Sequence, residues 1–129
     1  MVSESRLAAN KRWKIRNKEK VRKIARDYYQ NNKIQFRQQV KEIKKKNRID
    51  VIFHYSNGRM ECKCCGEKLL DFLTVDHING GGNTHRKIIG NGSISMWIKR
   101  NNYPKGFQIL CMNCNHAKGK LGRCPHNDV

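Results

Sequence analysis

The sequence predicts an α+β protein in two parts: a basic α-helical arm over residues 1–50 and a small cysteine-stapled domain over residues 51–129. Three observations predict it. Residues 5–48 contain neither Gly nor Pro and are rich in Lys, Arg, Gln and Glu, which are good helix formers. All six cysteines and all ten glycines lie beyond residue 50. Between the cysteine pairs, the short apolar runs 72–79 and 107–110 read as strands separated by Gly-rich and turn-forming segments.

Charge narrows the function classes. Lys and Arg number 28 against 10 Asp and Glu, a formal net charge of +18. Residues 1–50 alone carry 17 basic and 5 acidic side chains. Only 37% of residues are apolar and the mean hydropathy is −0.85, which excludes one large core spanning the chain. No apolar run approaches the roughly 18 residues that cross a bilayer. The charged first twenty residues do not resemble a secretory leader, so the expectation is a soluble, intracellular protein of the cytoplasm. Nucleic acid is favoured over a membrane surface, because bulky apolar residues opposite the lysines are sparse and basic side chains release condensed counterions on meeting phosphate.

The arm nearly repeats itself at a shift of 15 residues. Trp13, Tyr28 and Ile43 correspond, as do Asn17, Asn32 and Asn47, then Lys18, Lys33 and Arg48, and Val21, Phe36 and Val51. Fifteen residues of helix make four turns and about 60° of drift, so these positions wind slowly as one stripe. Either one helix of about 40 residues packs its stripe on a partner, or shorter helices turn near Asn31-Asn32 and Asn47, since Asn caps better than it continues. The stripe could pack within the chain or on a second copy, which leaves a homodimer open. The remaining surface is cationic, and Arg16, Lys18, Arg22, Lys33 and Arg37 are the candidate phosphate contacts. A solvated helix without a specific role is the plainer reading; the nearly uniform sign of the charge favours phosphate tracking.

Six cysteines without a secretory leader point to metal rather than disulfides. Cys62-Lys63-Cys64-Cys65-Gly66 and Cys111-Met112-Asn113-Cys114 each contain a C-x-x-C turn. Two such turns complete a tetrahedral, structural Zn²⁺ site from Cys62, Cys65, Cys111 and Cys114, with Cys64 as the second choice for Cys62. Cys124, in Cys124-Pro125-His126, reads first as a small buried hydrophobe and second as a further metal contact.

The chemistry lies between the knuckles. Residues 72–79 form a strand carrying Asp76-His77, followed by Gly80-Gly81-Gly82 and Asn83-Thr84-His85-Arg86-Lys87. Ser93 to Asn101 is a short helix with Ser93 as N-cap and Trp97 as its anchor. Residues 107–110 lead as a second strand into Cys111, and Asn115-His116-Ala117-Lys118 open a helix that Gly119 and Gly122 keep short. A zinc shared by both knuckles brings this helix start towards the first strand, and with it Asn115 towards Asp76 and His77. A carboxylate and an amide oxygen are hard ligands suited to Mg²⁺ or Mn²⁺, and a neighbouring imidazole can take a proton from water. Metal-assisted phosphodiester hydrolysis needs those parts.

Val75-Asp76-His77-Ile78, together with Leu110-Cys111-Met112-Asn113-Cys114-Asn115-His116-Ala117-Lys118-Gly119, resembles the first and last motifs of the HNH, or ββα-metal, endonuclease superfamily. The similarity is to phage-type members with Asn in the last position, such as phage endonuclease VII, and covers about residues 51–127. The resemblance implies a zinc-stapled ββα-metal domain and a DNA endonuclease acting on duplex or branched DNA. It implies His77 as the general base and Asp76 and Asn115 as ligands of a catalytic Mg²⁺ or Mn²⁺. Lys118 then suits a phosphate, with His85, Arg86 and Lys87 as further nucleic-acid contacts. Gly106 stands where the superfamily has its middle Asn; Asn79, Asn83 and His85 are the candidates for orienting the base. The competing reading is a non-catalytic zinc-knuckle module for DNA or RNA, which explains the charge and the cysteines and leaves Asp76, His77 and Asn115 without a purpose.

Overall fold

The computed structural model describes residues 3–128. The chain folds as two units, residues 1–40 and 41–129. The compositional break at Asp50 falls within a helix whose next two residues, Val51 and Ile52, are fully buried.

Helix α1 (Glu4–Arg16) buries none of its residues, as a segment this charged should. It ends at Asn17, whose side-chain amide and backbone N–H both donate to the Trp13 carbonyl at 2.9 Å. Helix α2 (Lys18–Tyr55), 38 residues long, then runs through Asn32 and Asn47; of the two forms open for the arm it takes the long helix, without turns near Asn31-Asn32 or Asn47. Asn32 makes the same bond as Asn17, from Nδ2 to the Tyr28 carbonyl at 2.8 Å, yet the helix continues through it, so the bond is compatible with both a helix interior and a helix end. Asn101 repeats the bond to Trp97 at 2.8 Å, so an aromatic residue four positions before an Asn recurs as one local unit. In the first unit Trp13, Tyr28 and Val40 remain exposed, while Phe36 lies between Tyr28 and Tyr29, stacked on the latter at 6.2 Å.

The second unit is α+β, and its sheet has two antiparallel strands among the described residues. Strand β1 (Leu73–His77) pairs with β2 (Phe107–Cys111) in a register that sets Leu73 opposite Cys111, Asp76 opposite Gln108 and His77 opposite Phe107. A 3-10 turn at Leu70–Phe72 replaces the first residue of the expected strand. Helix α5 (Met112–Leu121) follows β2 directly. It starts earlier than expected because Cys111 is its N-cap, its Sγ accepting from the Cys114 N–H at 3.4 Å. Gly119 does not stop it; Gly122 does, as a left-handed cap at φ +77°.

The core has two patches. Ile52, Leu73, Ile109 and Leu110 pack with Cys62, Cys111, Cys114 and Cys124; Val51, Ile98 and Phe107 form the other. The end of α2 is fastened to both. Arg48 Nη2 donates to the carbonyls of Leu70 and Leu73 at 2.6 and 2.9 Å, and Tyr55 Oη donates to the Pro104 carbonyl at 2.6 Å. Two further helices fill the β1–β2 connection. Helix α3 (Gly82–Ile89) forms where a loop was expected, entered from Gly81 at φ +84°. Helix α4 (Ile94–Arg100) follows Ser93, which has the extended backbone of an N-cap without making the side-chain bond.

Candidate functional site

The cysteine cluster is built by a turn, a strand end and a helix start. Gly66, at φ +76°, closes the first turn with its N–H on the Cys62 carbonyl at 3.0 Å. The Lys63 N–H donates to the Ile109 carbonyl at 2.9 Å, fastening that turn to β2. The thiols of Cys62, Cys65, Cys111 and Cys114 lie within 4.8 Å of one another, with Cys65 and Cys111 Sγ atoms 3.6 Å apart. This group could hold a metal ion. A tetrahedron of Zn–S bonds near 2.3 Å has edges of about 3.8 Å. Burial pushes the Cys62 thiol up, but the backbone N–H groups of Cys65, Cys111 and Cys64 bring it down to about 7. Cys114 goes the other way: burial, then the thiols of Cys111, Cys124, Cys65 and Cys64, push it far up. Cys124 is buried as expected, yet its Sγ lies 3.4 Å from His126 Nδ1, which a purely apolar role does not explain.

A second feature is a cleft of about 720 Å³ whose lining includes Asp76, His77, Gly82, Arg86 and Asn115. Side chains from β1, α3 and α5 thus meet in one place. Asp76 is buried, and its Oδ2 accepts from Gln108 Nε2 at 2.7 Å and from Lys118 Nζ at 2.6 Å. Asn115 donates from Nδ2 to Thr74 Oγ1 at 2.9 Å, and Thr74 in turn donates to the Leu110 carbonyl at 3.0 Å. This leaves the Asn115 amide oxygen as the atom available to an ion.

His77 is held from behind by His85. His77 Nε2 and His85 Nδ1 are 2.8 Å apart with the rings edge to face, and His85 in turn packs edge-on against Trp97 at 4.1 Å. His85 Nε2 is buried without a hydrogen-bond partner among the described residues. Burial, and then the neighbouring His85 ring, lower the His77 pKa below its usual value of 6.5; Lys118 and Arg86 add to this and Asp76 opposes it. His77 is therefore neutral near pH 7. A Cβ on Gly82 would stand 3.2 Å from His77 Nδ1, so glycine there keeps that ring nitrogen accessible.

Of the side chains considered for phosphate, Arg86 lines the cleft. Lys87 lies on α3, and His85 turns inward to His77. The Lys118 ammonium, expected at a phosphate, bonds Asp76 Oδ2 at 2.6 Å and the His77 carbonyl at 2.7 Å. Arg16, Lys18, Arg22, Lys33 and Arg37 belong to the first unit, where Arg22 pairs with Glu19 at 2.9 Å and Lys33 donates to Gln30 at 3.3 Å. Sequence reasoning missed Gln108 and Thr74. A lone Gln in the apolar run Phe107–Cys111 was the signal for the first, and the register makes it the cross-strand partner of Asp76.

No helix among the described residues is long and apolar enough to cross a membrane. No protein-family model matches the chain, and no curated protein or solved structure is significantly similar to it.

Proposed function

We propose that the chain is a metal-dependent DNA endonuclease of the HNH type. The observation that carries this reading is the meeting of Asp76, His77 and Asn115 around one cleft, with the imidazole neutral and backed by His85. The donor set fits a divalent cation: a carboxylate with both of its bonds on Oδ2, and an amide whose nitrogen is already engaged. Mg²⁺ or Mn²⁺ held by Asp76 and Asn115 would neutralise charge at the scissile phosphate and on the departing 3′ oxygen. His77 accepts at Nδ1 the proton of the attacking water. The water oxygen bonds to phosphorus while the P–O3′ bond breaks, and the 3′ oxygen takes a proton from solvent. His85 fixes the ring and its tautomer, the role of the middle Asn that this chain lacks. Arg86 and the arm bind the phosphate backbone, and zinc on Cys62, Cys65, Cys111 and Cys114 fastens α5 to the first turn.

The test is nicking of supercoiled plasmid by the full chain with Mg²⁺, with Mn²⁺ and with EDTA, beside His77→Ala. Metal-dependent nicking that the variant loses, with DNA binding kept, supports the reading. A wild type that binds DNA and cuts neither plasmid nor branched DNA with any divalent ion overturns it.

One observation favours the second reading, a non-catalytic zinc-knuckle module binding DNA or RNA. The Lys118 ammonium already neutralises Asp76, so the carboxylate has a structural purpose without any ion.

A further inference from the structure

The six cysteines form one continuous sulfur cluster larger than a single tetrahedral ion can use. Cys64, Cys114, Cys124 and His126 make a second group whose ligand atoms all lie within 4.8 Å of one another. Cys114 is common to both groups, and it is almost fully buried at their junction. His126 Nδ1 is 3.4 Å from Cys114 Sγ, 3.4 Å from Cys124 Sγ and 3.8 Å from Cys64 Sγ. A tetrahedral ion with bonds of about 2.3 Å to sulfur and about 2.0 Å to nitrogen separates S and N by about 3.5 Å, within the range of those values. Hydrogen bonding alone does not explain the convergence. A neutral imidazole nitrogen has one lone pair and can accept one S–H, whereas three sulfurs surround this one. The Cys64 thiol also donates to Asn127 Oδ1 at 3.8 Å.

We propose that the chain binds two zinc-class ions, the second held by Cys64, Cys124 and His126 and completed by the Cys114 thiolate, which bridges to the first. Seven side chains then fill eight tetrahedral positions, because one sulfur serves both ions. Six thiolates and a neutral imidazole against two dications leave a net charge of −2, in a chain whose formal charge is +18. His126 is exposed, which gives the second ion an entry path. The second ion ties the 3-10 turn at Pro125–Asp128 to the first knuckle and to the residue preceding Asn115. The inference rests on the sulfur geometry alone and stands or falls apart from the nuclease reading.

The experiment is metal stoichiometry of the full-length protein after saturation with zinc and removal of free ion, alongside ¹¹³Cd NMR of the cadmium-loaded chain. Two ions per wild-type chain are expected, falling to one in the Cys124→Ser, His126→Ala double variant and staying at two in Asp76→Asn. The cadmium spectrum should show two resonances, one from an all-sulfur site and one from a three-sulfur, one-nitrogen site, coupled to each other through the shared thiolate. One ion per wild-type chain at saturating zinc overturns the proposal, and that reading does not depend on any variant folding. So does a second ion that survives in the double variant or disappears in Asp76→Asn, and uncoupled resonances overturn the bridge.

Discussion

The Lys118 ammonium sits 2.6 Å from Asp76 Oδ2 and 2.7 Å from the His77 carbonyl, so α5 reaches across to the end of β1 with an internal cation. Both side chains are largely buried, and Asp76 is the more so. A divalent ion that uses Asp76 therefore shares it with a positive charge already in place.

Replacing that ammonium should separate two effects. Lys118→Met removes a charge-assisted bond to a buried carboxylate and is expected to lower unfolding stability by about 1–3 kcal/mol, read by urea denaturation. The same change should tighten Mn²⁺ binding in the cleft about tenfold or more, since the carboxylate is left uncompensated. Added Mn²⁺ should then restore part of the lost stability by mass action. Calorimetry that finds the Mn²⁺ affinity unchanged would show that Asp76 is not an ion ligand.

His85 gives a sharper handle on the imidazole pair. Its Nδ1 bonds His77 Nε2, and Trp97 packs edge to face with its ring. Under the nuclease reading His85→Phe should cut the nicking rate about 10–100-fold while DNA affinity holds. His85→Asn, which can place a polar atom near the Nδ1 position, should recover most of the rate. Equal losses in both variants, with the melting temperature unmoved, would mean that the His85 bond does not position the base.

How much of this was legible in the sequence depends on the range of the signal. The cysteine turns, the two strands and the Ser93 helix boundary were readable because spacing and local propensity decide them. One long helix or several shorter ones stayed open for the arm, because Asn17, Asn32 and Asn101 make the same bond to an aromatic residue's carbonyl whether or not a helix ends there. Helix α3 was missed because Gly80-Gly81-Gly82 looks like a loop, whereas Gly81 at φ +84° is the helix entry. The Lys118–Asp76 bond was not legible because nothing local indicates that a lysine on a basic chain turns inward. For Cys124 the apolar reading came before the metal contact, because Cys64, Cys114 and His126 come together only in three dimensions.

The joint between α2 and α4 makes a prediction about pH. Lys99 Nζ bonds Asp50 Oδ2 and, at 3.0 Å, Asn47 Oδ1. The hydrogen bond to Asp50 holds the Lys99 pKa above its usual 10.5, against a smaller opposing effect of burial. A lysine raised in the folded state stabilises fully below its unfolded value, and that contribution fades as pH rises through the folded value. Lys99→Met should therefore melt lower than wild type at neutral pH, and the gap should close as the pH rises into the alkaline range beyond 10.5. A gap that already disappears at neutral pH would show that the contact carries no charge-dependent stability.

The arm's contribution can be counted by salt. Each phosphate neutralised on duplex DNA releases counterions and steepens the fall of log K with log salt by about 0.9. Changing Arg16, Lys18, Arg22, Lys33 and Arg37 together to Gln keeps the length and helix propensity of α1 and α2 nearly constant while removing five charges. Arg22 and Lys33 also contact Glu19 and Gln30 along the helix, and these exposed contacts are weak enough to exchange for phosphate. If the five contact phosphate, the slope should shallow by about 4.5 and affinity at low salt should drop by orders of magnitude, with little dependence on DNA sequence. Fluorescence anisotropy over a salt series measures both. A slope unchanged within about half a unit would move DNA binding off these five side chains and onto the second unit, where Arg86 lines the cleft.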